Sequence, residues 1–126
     1  MELQENPAIL LGKAEFSVEN SSVTKNTQVR RHKMQTKLTR EDAIALLSKY
    51  NKEPFHILHG LTVGGVLKWY ANELGYGDEA GFWEICGILH DIDFEEYPEE
   101  HCLIAPRLLK EGGAEDEVIH AVCSHG

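Results

Sequence analysis

Six of the seven histidines in this 126-residue chain fall between positions 56 and 125: His56, His59, His90, His101, His120 and His125. Imidazole is the commonest side-chain metal ligand, and mixed histidine and carboxylate sets suit borderline and harder divalent ions. His59 sits among apolar residues in segment 55–74, and His90 ends an apolar run and is followed directly by Asp91. An ion-competent pair at the end of an apolar helix is costly to pack without a cation. A lone histidine in a helix is more often an ordinary core or surface residue than a ligand, and His56 and His120 are read that way. Four histidines and one aspartate on successive helices of a small bundle weigh more, because ligands converge from facing helices in bundle cores.

The elements that must position them are helical. Thr39 with Glu41 and Asp42 makes a helix start, and Ala43, Leu46, Leu47 and Tyr50 follow at three- and four-residue spacing up to Asn51, ahead of Pro54. A second helix is expected over 55–74, ending at Gly75. Gly60, Gly64 and Gly65 inside it each cost roughly 1 kcal/mol against alanine, which suggests a close packing partner on that face. A third runs from Asp78 through Phe82, Ile85, Ile88 and Leu89 to His90. A fourth region, 98–110, must be kinked or divided by Pro106, and a fifth helix covers about 115–124. No segment alternates with the period of a strand. The fold class is therefore all-α, a bundle of about five helices over 38–126, and residues 1–37 read as a poorly structured N-terminal extension.

Length and composition fit one globular domain. No apolar run is long enough to span a membrane, and the start Met1-Glu2-Leu3-Gln4-Glu5 lacks the positive charge of a secretory signal. Cys86, Cys102 and Cys123 form an odd set without CxxC spacing, which argues for reduced thiols and a cytoplasmic location. The net charge of −9 is uneven: residues 1–37 hold six Lys/Arg against four Asp/Glu, and residues 38–126 hold six against seventeen. So acidic a body disfavours extended nucleic-acid binding, although an anionic small molecule remains accessible if a metal ion supplies positive charge. The basic patch Arg30-Arg31-His32-Lys33 reads as solvated tail.

His59 followed by His90-Asp91, with the texts "HGLTVGGV" and "EICGILHDID", resembles the HD-domain superfamily of metal-dependent phosphohydrolases. The later "YPEEHCLIAPRLLKEGG" and "VIHAVCSHG" resemble its branch with extra histidines. The resemblance covers about residues 39–126. It implies that His59, His90, Asp91, His101 and His125 are metal ligands, with Asp91 bridging two ions or orienting the nucleophilic water. The metal would be one or two divalent ions drawn from Fe, Mn, Co, Ni, Zn and Mg. This chain departs from the family pattern in two ways: the doublet reads His-Asp-Ile-Asp, and the family's closing aspartate would lie beyond Gly126, so the domain is expected to be C-terminally incomplete.

The implied activity is hydrolysis of a phosphate ester, as a phosphomonoesterase or phosphodiesterase acting on a nucleotide or another small phosphorylated molecule. Two ions about 3.5–4 Å apart would bind phosphoryl oxygens and acidify a water, so no serine or cysteine nucleophile is needed. Neither a P-loop nor a G-x-S-x-G motif is present. Asp93, Glu95 and Glu96 read as a solvated helix-end cluster, and Lys68, Arg107 and Lys110 as surface cations. Competing expectations are a di-iron oxygenase of the same architecture and an inactive, truncated domain that binds a ligand or partner. Phe82, Trp83 and the core helices that the resemblance would place beyond Gly126 suggest unburied apolar surface, and hence a homodimer or aggregation.

Overall fold

The computed structural model describes residues 32–124 of the chain. Among these residues the elements are α1 (Arg40–Tyr50), α2 (Pro54–Glu73), α3 (Ala80–Leu89), α4 (Ala105–Glu111) and α5 (Asp116–Cys123). Single 3-10 turns occur at Gly77–Glu79 and Pro98–Glu100, and no strand is found among the described residues. The protein is all-α over this span, and no described helix is long and apolar enough to cross a membrane.

Local chemistry explains where the helices begin. Thr39 caps α1 with a reciprocal pair: its hydroxyl accepts from the Asp42 amide at 3.0 Å, and the Asp42 carboxylate accepts from the Thr39 amide at 3.0 Å. Pro54 opens α2, where a missing N–H costs nothing. Pro106 falls in the first turn of α4, so the 98–110 region is divided into a 3-10 turn and a helix rather than a kinked single rod.

α3 is the central rod, with eight of its ten residues buried. It packs against α1, α2 and α5, while α4 packs on α5. α2 runs antiparallel to α3 at very close range. A Cβ on Gly60 would stand 2.7 Å from the Ile88 carbonyl oxygen, and one on Gly87 would stand 2.7 Å from Gly64 Cα. Gly60, Gly64 and Gly87 are therefore the contact surface of the crossing. Gly65 does not share that role: a Cβ there would meet nothing within 4 Å, because the residue faces outward.

The core is Leu47, Val63, Leu67, Ile88, Leu89, Ile92, Leu109, Val118 and Val122 with their smaller neighbours. Phe82 and Trp83 belong to it, contrary to the expectation that they expose apolar surface: both are buried, and Trp83 Nε1 donates to Glu79 Oε1 at 3.1 Å. Among the described residues the exposed large apolar side chains lie elsewhere, chiefly Phe55 (72% exposed), Leu58 (63%) and Trp69 (57%) on α2, and Leu103 (75%) on the turn before α4.

Of the expected extension, residues 1–31 lie outside the described residues. The stretch from 32 to 38 is pinned across α5. His32 pairs with Glu117, Thr36 Oγ1 donates to Glu115 at 2.5 Å, the Lys37 amide donates to Glu115 at 2.7 Å, and the Met34 amide donates to Glu79 at 3.0 Å. Glu115 loses hydration there, but these hydrogen bonds more than compensate and hold its carboxyl below the usual range.

Candidate metal centre

His59 projects from the first half of α2, one residue before the Gly60 contact with α3. His90 caps the C-terminus of α3, and Asp91 begins the turn that follows. Because Gly60 lets α2 approach the Ile88 carbonyl so closely, the side chain of His59 meets the end of α3 directly. Three donor atoms converge there. His59 Nε2 and His90 Nε2 are 3.2 Å apart, and Asp91 Oδ2 lies 3.3 Å from the former and 3.1 Å from the latter.

This triangle has the dimensions of one face of a metal coordination shell. Donors about 2.1 Å from a shared ion stand about 3.0 Å apart at octahedral cis positions and about 3.4 Å apart at tetrahedral corners. The ring of His90 is already oriented for coordination. It is fully buried, and its Nδ1–H donates to the Gly87 carbonyl oxygen at 2.7 Å, which turns Nε2 toward the triangle. His59, His90 and Asp91 could thus hold a metal ion.

The other oxygen of Asp91 faces a second group. His101 Nε2 is 3.1 Å from Asp91 Oδ1, and His101 Nδ1 is 2.6 Å from Asp93 Oδ1. Burial opposes ionisation of Asp91, but hydrogen bonds and charge from His101 and His90 outweigh it and hold the carboxyl well below the usual range. The same bonds to Asp91 and Asp93 push the His101 imidazole up to about 10. His101 sits on the turn after Pro98–Glu100, not on a helix. His125 lies outside the described residues.

Asp93 is the residue beside this candidate site that the sequence reading misplaced. It is not part of a solvated cluster but fully buried, accepting from His101 Nδ1, from the Cys102 amide at 2.7 Å and from the Ala105 amide at 2.9 Å. The +2 spacing from Asp91 was its one available signal. Glu95 serves instead at the head of α2, where it accepts from the amides of Lys52 (2.9 Å) and Glu53 (3.2 Å) and pairs with His56 Nδ1 (2.8 Å). The Lys52 amide and the His56 imidazole hold the Glu95 carboxyl below the usual range. Glu96, His120, Arg107 and Lys110 are exposed, and Lys68 lies 4.0 Å from Glu84.

No protein-family model matches the chain, and no curated protein or solved structure matches it.

Proposed function

We propose that this chain is a metal-dependent phosphohydrolase of the HD type, acting on a small phosphate ester such as a nucleotide. The observation that carries the reading is the triangle of His59 Nε2, His90 Nε2 and Asp91 Oδ2, with edges of 3.1–3.3 Å. A bound divalent ion would supply the positive charge that a phosphate needs and would acidify a water. The chain's own residues contribute orientation. Gly87 fixes the tautomer of His90, and Asp91 divides its two oxygens between the His59/His90 pair and His101. The acidic surface supplies few cations of its own, so a phosphate would depend on the centre for its charge complement.

The test is elemental analysis of protein purified without a metal-binding tag, alongside Asp91→Ala. One to two ions per chain in the wild type, lost in the variant with helical content retained, is the expected result. Phosphatase and phosphodiesterase assays would follow with Mn, Mg, Co and Ni. Near-zero metal after reconstitution would remove the reading, and iron with a mixed-valence paramagnetic signal would replace hydrolysis with oxygen chemistry.

A further inference from the structure

We infer that Asp93 is a positioning residue of this centre, acting through His101 to fix how Asp91 presents its two oxygens. The inference rests on the metal-binding reading above and concerns a residue that need not touch an ion. A carboxylate removed entirely from water is tolerated only when its lone pairs are used, and those of Asp93 are divided by purpose. Oδ2 accepts from the amides of Cys102 and Ala105, which builds the turn leading into α4. Oδ1 is turned to the imidazole of His101 at 2.6 Å.

A carboxylate can only accept, so His101 must carry a proton on Nδ1, and its Nε2 is thereby placed 3.1 Å from Asp91 Oδ1. The backbone also points to a demand beyond closing a turn. Cys102, next to His101, has φ +72, a left-handed conformation that non-glycine residues rarely adopt, and its amide is held by Asp93. The turn accepts strain at the residue directly after the one that delivers the imidazole. Asp93, His101 and Asp91 form a carboxylate–histidine–carboxylate line, and the far oxygen of Asp91 closes the triangle with His59 and His90. Partners of this kind orient the groups that bind metal.

A double-mutant cycle with Co²⁺ alone as the probe tests this. Asp93→Asn should weaken Co²⁺ binding roughly 10–100-fold. In a His101→Ala background, the same substitution should change affinity by no more than about twofold, because its route is already cut. Equal losses in both backgrounds would overturn the inference and leave Asp93 as a turn former. A second measurement does not depend on the variant folding. In Zn²⁺-loaded wild type, long-range ¹H–¹⁵N spectra should show His101 Nδ1 protonated, and a proton on Nε2 alone would overturn the inference. Wild type that binds neither ion would remove the metal reading itself, and this inference with it.

Discussion

Asp93 and Cys123 show how one buried charge changes the chemistry of a neighbour. Burial pushes the Cys123 thiol up to about 11, and the charge of Asp93 adds to the effect. The thiolate is the reactive form, so Cys123 is suppressed as a nucleophile at neutral pH. Iodoacetamide at pH 8 should therefore modify Cys123 far more slowly in the folded protein than in urea, with the folded rate climbing only as pH approaches 11. Labelling at the unfolded rate, read by peptide mass spectrometry, would contradict this. At this scale the sequence is partly legible. His59, His90 and Asp91 stand out because ion-competent residues interrupt apolar runs, and the structure brings their donor atoms together. Asp93 does not stand out, because Asp93, Glu95 and Glu96 look alike in a string of acids. Their fates (buried in a turn, heading a helix, exposed) are set by where the chain after α3 folds back.

Between α2 and α3, glycine controls distance. Gly87→Ala would set a methyl group 2.7 Å from Gly64 Cα, backbone that cannot yield, and should cost about 1–3 kcal/mol. Gly65→Ala meets nothing within 4 Å and should stabilise by about 0.5–1 kcal/mol through helix propensity. Urea melts of the two variants should move in opposite directions, and a destabilising Gly65→Ala would show that its outward face is covered. The existence of all five described helices is legible from apolar spacing, capping residues and prolines, and so are the rough limits of all but α4, which begins only at Ala105 inside the 98–110 region. The phase of α2 is not. Phe55, Leu58 and Trp69 lie on the side opposite Gly60, Gly64, Leu67 and Ala71, so the helix carries apolar residues nearly all round and its pattern does not reveal the buried face. The glycines suffer the same ambiguity, which is why Gly65 reads like its neighbours.

At the scale of the whole molecule, the large exposed apolar side chains among the described residues lie mostly on that outward side of α2, with Leu103 before α4, rather than at Phe82 and Trp83. Replacing Leu58 and Trp69 together by glutamine should leave the melting temperature nearly unchanged, since exposed positions usually count within about 0.5 kcal/mol each. The same pair should lower any self-association seen by sedimentation at high concentration. A large loss of stability would mean that these side chains are buried against something in solution. Whole-molecule charge is the feature most directly read from composition, and the acidic residues do more than confer solubility: Glu79, Glu115 and Glu117 hold down the stretch from 32 to 38.

The antiparallel hairpin of α2 and α3 also bears on the order of events as the chain acquires its shape. His59 and His90 are 31 positions apart, whereas Thr36 and Glu115 are separated by 79. Closing the shorter loop costs less chain entropy, and local contacts favour rapid folding. The donor triangle is therefore expected to gather before the N-terminal strap is tied, an order that pulse-labelled hydrogen exchange during refolding would check. An ion present while the protein is still being made would then find its three donors assembled before the ends of the bundle are secured.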